Sequence, residues 1–206
     1  MKNVLILADG EFPVHPVPLK VLKSAGTIIC CDGAAAKLIK YGIVPFAIVG
    51  DMDSLDLQLQ ERYKEIIHKD CNQETNDLTK AFEYSLSLKP ARITILGATG
   101  AREDHTIGNI SLLSQYRERT DAEVEMYTDC GRFIAINSAS TISLPVGSQV
   151  SIFSLDTNIK IISEGLKYPL DNVVFDAWWK GTLNKTTQES FTLDFLSGRI
   201  ILYVVY

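Results

Sequence analysis

Three apolar runs near the amino terminus set the first limit on the fold: NVLILA (3–8), TIICC (27–31) and FAIVG (46–50). Each is short, rich in aliphatic residues and almost free of polar ones. A strand with one wet face alternates apolar and polar side chains, whereas a strand covered on both faces does not. Such runs therefore predict a parallel sheet with helices on both sides. The segments between and after them agree. PLKVLKSA (18–25), AAAKLIKYG (34–42), LQLQERYKE (57–65), DLTKAFEYSLSL (77–88) and HTIGNISLLSQYRE (105–118) carry apolar residues at helical spacing. Further strands are read at EIIHK (65–69), RITILG (92–97) and EVEMYT (123–128). Gly42 and Pro90 stand where two of the helices should stop. Alternation of this kind predicts an α/β domain over residues 1–129, with ligands held at the carboxyl ends of its strands.

The pattern changes after Asp129. RFIAIN, STISLP, QVSIFSL, IKIIS, ESFTLDFL and RIILYVVY are short, β-branched and often alternating, and turn signals such as PVGS, DTN, SEG and SGR separate them. No helical pattern is left. Residues 130–206 therefore predict a second, all-β domain, a small sandwich or barrel.

Charge and cysteine usage narrow the function. The 206 residues carry a net charge of −5 with no long block of like charge, which argues against a nucleic-acid partner. An anionic substrate would need local help from a metal ion or from main-chain donors. Cys30, Cys31, Cys71 and Cys130 form no C-x-x-C pair and read as reduced thiols of a cytoplasmic protein, without structural zinc. The apolar opening of the chain is too short for a signal peptide or a membrane span.

The chemistry is concentrated in the strand-end loops. GDMDS places Asp51 and Asp53 just past the run 46–49. Residues i and i+2 of an extended strand point the same way, so both carboxylates can converge, and two converging carboxylates ask for a cation between them. A hard ion such as Mg2+ prefers oxygen ligands. The plainer reading is a solvated loop in which Asp53 or Ser54 caps the next helix. CCDGAAA puts Asp32 after the second strand, with Gly33 opening a helix, and QETNDLTKAF puts Asp77 at another helix start. There Asp77 could simply oppose the helix dipole or serve as the cap. In ILGATGAREDH, Gly97 and Gly100 permit close backbone approach, Thr99 adds a hydroxyl, and Arg102 brings a planar cation suited to phosphate. Asp104 and His105 follow directly; His105 reads as a helix-start residue rather than a base. In a parallel sheet these loops share one edge. Acids, one arginine and a glycine turn on that edge suggest Mg2+ with a polyphosphate. No G-x-x-x-x-G-K-[ST] motif and no complete G-x-G-x-x-G is present, which sets P-loop kinases and dinucleotide enzymes aside.

CCDGAA, GDMDS, NDLTKA and GATGAREDH, in this order and spacing, resemble thiamine pyrophosphokinases. SEGLKYPL and GTLNKT resemble that family's carboxyl-terminal segments, so the likeness covers nearly the whole chain. It implies a parallel-sheet α/β domain followed by a small β-sandwich, working as a homodimer in which the α/β domain of one subunit and the β domain of the other hold thiamine. It implies diphosphate transfer from ATP to the hydroxyethyl group of thiamine, with AMP leaving. By position, Asp51, Asp53 and Asp77 would hold Mg2+ and the diphosphate. Asp32, Arg102 and Asp104 would surround the phosphates, Gly97, Thr99 and Gly100 would shape the nucleotide loop, and Asn184 would lie near thiamine. The chain departs from the family at NQETND, where Asp-Gln-Asp-x-Thr-Asp is common, at Ala101, where glycine is common, and at Leu183, where serine is common. Trp178 and Trp179 read as packing, as an interface or as an aromatic wall for the thiamine ring. Two other functions stay open: a thiamine or nucleotide binder without catalysis, and diphosphate transfer to a different alcohol.

Overall fold

The computed structural model describes residues 3–206, which form two compact units: residues 3–109 with 120–129, and residues 110–119 with 130–206.

In the first unit the chain runs β1 (Asn3–Leu7), α1 (Pro16–Ser24), β2 (Ile28–Cys31), α2 (Ala34–Lys40), β3 (Ala47–Gly50), α3 (Leu57–Arg62), β4 (Ile67–Lys69), α4 (Asp77–Ser87), β5 (Arg92–Leu96), α5 (Glu103–Glu118) and β6 (Glu123–Tyr127). The last turns of α5 belong to the second unit. The strands lie in the order β6-β5-β1-β2-β3-β4, and each neighbouring pair is parallel. The apolar runs are the reason. Every residue of β2 and β3 is buried, as is β1 from Val4 onward, so these strands need cover on both faces. Leu22 of α1 and Ala34, Ala35 and Leu38 of α2 pack with Leu5, Leu7, Ile48 and Leu96 in one core. Burying each large aliphatic side chain stabilises the fold by about 1.5–3 kcal/mol. Cys30 and Cys31 stand on successive positions of β2, both sealed in, and burial pushes both thiols far above the ordinary range.

The second unit contains β7 (Gly131–Ile136), β8 (Ser140–Ser143), β9 (Gln149–Ser154), β10 (Ile162–Glu164), β11 (Asn184–Lys185), β12 (Ser190–Asp194) and β13 (Ile200–Val205). Antiparallel pairing gives β11-β9-β13-β7 on one side and β10-β12-β8 on the other. Val150, Ile152 and Leu202 from the first set meet Phe191 and Leu193 from the second in a single core, which makes the unit a sandwich. Besides the last turns of α5, its helical piece among the described residues is a 3-10 turn at Trp178–Gly181. The run IKIIS is strand only in its last two residues. Ile159 and Ile161 are buried all the same, so their spacing reports burial rather than pairing.

Candidate active site

The sheet of the first unit changes direction of growth at β1. From β1 the order proceeds to β2, β3 and β4 on one side, and β5 and β6 lie on the other. Crevices at the carboxyl ends of strands at such a point are where open α/β sheets bind ligands. A cleft of about 320 Å³ lies there, lined by Asp9 and Gly10 after β1, Ser54 after β3, Asp77 of α4, and Thr99 and Arg102 after β5.

Next to the cleft, bonded to its lining residue Ser54, lies a tightly built acidic group. Oxygens of Asp32, Asp51 and Asp53 all lie within 4.8 Å of one another. Convergence of Asp51 and Asp53 does not come from an extended strand, as the spacing suggests. Met52 between them has φ +68°, and the Asp53 N–H folds back onto Asp51 Oδ1 at 3.3 Å. The turn brings the two carboxylates together, and a left-handed methionine is a strained conformation held by its surroundings. Asp32 is strained too, with φ +32°. Ser54 donates its N–H to Asp32 Oδ2 at 3.2 Å and its hydroxyl to Asp53 Oδ1 at 2.8 Å, while Gln73 reaches Asp51 Oδ2 at 3.4 Å. Ser54 and Asp53 are not the helix cap; Asp56 caps α3 by accepting the Gln58 N–H at 2.8 Å. Gly50 must be glycine here, because a Cβ would fall 2.9 Å from Asp32 Cβ and 3.4 Å from Asp77 Oδ1.

Asp32 is 2% exposed, and its Oδ1 is sealed from solvent with no hydrogen-bond partner. Burial pushes its carboxyl up to about 6, against the Ser54 N–H and aided by the charges of Asp77 and Asp53. Asp51 is held below the ordinary carboxylate range, chiefly by the Asp53 N–H. An orphaned buried oxygen facing two more carboxylates is a donor set that suits a hard divalent cation.

Asp77 sits beside this trio but answers to another partner. It opens α4 behind the cap Asn76, which accepts the Thr79 N–H at 2.9 Å. Lys80, one turn on and 5% exposed, reaches Asp77 Oδ1 at 3.0 Å. Burial alone would lower the Lys80 pKa, but the bond to Asp77 and the charges of Asp51 and Asp70 more than offset it, and the ammonium is held above its usual value.

The opposite side of the cleft is built from main chain. The loop after β1 lies against the loop after β5: Gly10 N–H donates to Gly97 O at 2.6 Å and Glu11 N–H to Thr99 O at 2.8 Å. A Cβ on Gly10 would come within 2.4 Å of Gly97 O, so only glycine permits this approach. Arg102 is exposed and turned onto Asp104, with Nε to Oδ1 at 3.1 Å and Nη2 to Oδ2 at 2.5 Å, and Asp104 also takes the His105 N–H at 2.8 Å. The paired guanidinium holds Asp104 below its ordinary range. His105 stands in the first turn of α5 and lines the cleft.

Two residues of this site were missed from sequence. Asp9 lines the cleft, and Lys37 of α2 clamps it, with Nζ 2.7 Å from Asp9 Oδ1, 3.0 Å from Asp9 O and 2.8 Å from Gly10 O. The strand-end rule that picks out Asp32 and Asp51 applies equally to Asp9 in ADGEF. Lys37 gives no such signal.

In the second unit Asn184 is 3% exposed and committed to main chain. Its Nδ2 donates to Tyr168 O at 2.7 Å, and its Oδ1 accepts from Tyr168 N–H at 3.1 Å and Lys185 N–H at 2.8 Å. It fixes the Tyr168 segment. Next to it Leu183 has φ +57° and is 81% exposed. Tyr168, Trp178 and Trp179 are exposed as well, Trp178 edge-on to Phe153 with ring centroids 6.1 Å apart.

Comparison with known proteins adds a family to this geometry. Residues 19–126 match the family model for the thiamin pyrophosphokinase catalytic domain, and residues 131–203 match that for the thiamin pyrophosphokinase substrate-binding domain. The chain is 32% identical over 117 residues to the thiamine pyrophosphokinase of Bacillus subtilis (strain 168), a match covering 55% of each chain. It is 30% identical over 131 residues to thiamine pyrophosphokinase 1 of Oryza sativa subsp. japonica, covering 52% of this chain and 49% of that one. In these matches the chain spans about half the length of its relatives. In fold it is similar to the crystal structure of thiamine pyrophosphokinase from Bacillus subtilis, with a TM-score of 0.81 at 23% identity over 99% of both chains.

Proposed function

The chain belongs to the thiamin pyrophosphokinase family, and from that premise we propose that it transfers a diphosphate group from ATP to the hydroxyethyl group of thiamine. The observation that carries the proposal is the cleft at the switch point, with Ser54 and Asp77 on one side, the glycine loop on the other, and Asp32, Asp51 and Asp53 gathered next to Ser54. In this reading the thiamine hydroxyl oxygen attacks the β-phosphorus of ATP. A new O–P bond forms, the bond from that phosphorus to the oxygen bridging the α-phosphate breaks, AMP leaves with the electron pair, and the hydroxyl proton is released.

Asp51, Asp53 and Asp32 would hold Mg2+, with Asp77 adjoining them as the family likeness implies. When bound, the ion offsets negative charge on the phosphate oxygens as the transfer proceeds. The remaining work belongs to the chain. Met52 and Gly50 set the angle of the carboxylates, and Lys80 holds Asp77 in place. Gly97, Thr99 and Gly100 shape the floor under the nucleotide. Arg102 exchanges its exposed partner Asp104 for a phosphate oxygen, a swap that costs little because both groups are already hydrated. Asp104 then remains as the acceptor of the His105 N–H and keeps the start of α5 in place. Asn184 acts on the acceptor side by holding the Tyr168 segment, and exposed Tyr168, Trp178 and Trp179 supply aromatic faces for a cationic ring.

The reading includes a homodimer, supported by the exposed apolar residues Trp179, Leu183 and Val174 of the second unit. It also places the protein in the cytoplasm, which the four free thiols support; among the described residues no helix is long and apolar enough to cross a membrane. Incubation with ATP, Mg2+ and thiamine tests the proposal. AMP and thiamine diphosphate should appear one for one. Production of ADP and thiamine monophosphate would overturn the reaction type. Turnover with another primary alcohol but not with thiamine would overturn the acceptor, and thiamine binding without AMP release would leave a binder in place of an enzyme.

A further inference from the structure

Three consecutive carbonyls of the loop after β5 are each held by a donor from outside it. Gly97 O and Thr99 O take the main-chain N–H groups of Gly10 and Glu11, and Ala98 O between them takes Asn109 Nδ2 at 2.9 Å. The chain of bonds continues. Asn109 Oδ1 accepts from Asn76 Nδ2 at 3.1 Å, and Asn76 Oδ1 accepts both the N–H of Thr79 at 2.9 Å and its hydroxyl at 2.8 Å. A continuous path of side-chain amides therefore runs from the middle of the glycine loop to the first turn of α4, where Asp77 stands. All three of Asn76, Asn109 and Ala98 line the cleft.

We propose that Asn76 and Asn109 form a strut that fixes the span between the glycine loop and the Asp77 end of α4. Both are positioning residues; neither has to touch the substrate. The need for a strut follows from the topology. The glycine loop follows β5, which is paired on both sides, whereas α4 follows β4, a three-residue strand at the margin of the sheet, and a loop at 70–76. Hydrogen bonds of the sheet fix the first arm of the cleft directly, whereas the second is held by the packing of α4 on β2 and β3 and by the Cys31 thiol at Asp77 O, 3.5 Å away. The strut couples them in series: the bond to Ala98 O and the bond between the two amides must both be made for either arm to feel the other.

The catalytic consequence rests on the function proposed above, so the test begins with a measurement that needs no substrate. Asn76→Ser keeps a capping oxygen on α4 but lacks the amide that reaches Asn109. Asn109→Asp still accepts from Asn76 but cannot donate to Ala98 O. Hydrogen exchange of the free protein should speed up about three- to tenfold at residues 98–101 in both variants, with the melting temperature of Asn76→Ser unchanged. Because the strut is in series, the double variant should exchange no faster than the faster single one. In the AMP-release assay Asn76→Ser should lower kcat about three- to tenfold with the KM for ATP within about twofold, since a loosened span misplaces groups in the transition state. Unchanged exchange at 98–101 in Asn76→Ser, or effects of the two substitutions that multiply, would overturn the strut whatever reaction the protein catalyses. Altered exchange with no AMP formed by the unsubstituted protein would uphold the strut and sink the reaction.

Discussion

The two sides of the cleft are built differently. The acidic side is rigid before anything binds. Its three carboxylates are buried or braced, two of its residues have positive φ, and one oxygen of Asp32 is sealed in without a partner. The basic side is provisional. Arg102 is exposed and satisfied by Asp104 two residues away, in a pair that water already screens. A buried orphan has no local substitute. An exposed arginine has a substitute at hand and can trade it. Preorganisation is therefore concentrated on the acidic side, and adaptability on the side of Arg102.

That contrast can be broken by substitution. The largest effect should come from the braced side: Asp51→Asn or Asp53→Asn should cut turnover about 100- to 1,000-fold while the circular dichroism spectrum stays native. Turnover near normal would show that the trio holds no catalytic ion. Arg102→Ala should cost less, about 10- to 100-fold in kcat/KM for ATP, with the melting temperature unmoved because the lost pair is exposed.

A third prediction uses pH. Asp32 is raised to about 6 in the folded state, so the native protein binds more protons than the unfolded chain between roughly pH 4 and 6, and stability falls as pH rises through that window. A shift of this size corresponds to about 2–3 kcal/mol. Denaturant melts without Mg2+ should show the slope, Asp32→Asn should abolish it, and saturating Mg2+ should flatten it by stabilising the ionised form. A flat profile in the unsubstituted protein would mean that Asp32 is not the strained acid described here. The smallest effect belongs to the other side. Asp104 is lowered by Arg102, so its contribution has the opposite sign, present above the ordinary carboxylate range and lost as pH falls below it. Being exposed, Asp104→Asn should leave melts unchanged at every pH. A clear loss of stability would make the Arg102 pair structural and erase the contrast.

Much of this was legible in the sequence because burial leaves a plain trace. Runs almost free of polar residues became β1, β2 and β3, and helical spacing marked the helices between them. Acids at strand exits, Asp32, Asp51 and Asp53, lie together. What could not be read depends on long-range packing. Nothing in the residues around Met52 marks a left-handed turn; the buried Met52 side chain in the core around Leu55 is what holds it. Lys80 looks like any surface lysine of α4 until the fold closes over it. For Asp77 the motif gives a metal-ligand role and helix position gives a cap as the plainer alternative; Asn76 is the cap, and Asp77 stands beside the group of Asp32, Asp51 and Asp53. Asn184 matched a substrate-side position by motif, yet its amide is spent entirely on Tyr168 and Lys185, a commitment only coordinates reveal.

The paired thiols of β2 have a practical side. Cys30 and Cys31 occupy adjacent positions on a central strand, so they point to opposite faces of the sheet, and both are sealed in; Cys71 and Cys130 are exposed. A colorimetric thiol reagent should therefore record a fast burst from the outer pair and a slow phase from the inner one. The slow phase times the opening of both layers around the sheet at once, which makes the chain its own stopwatch for the breathing of the first unit.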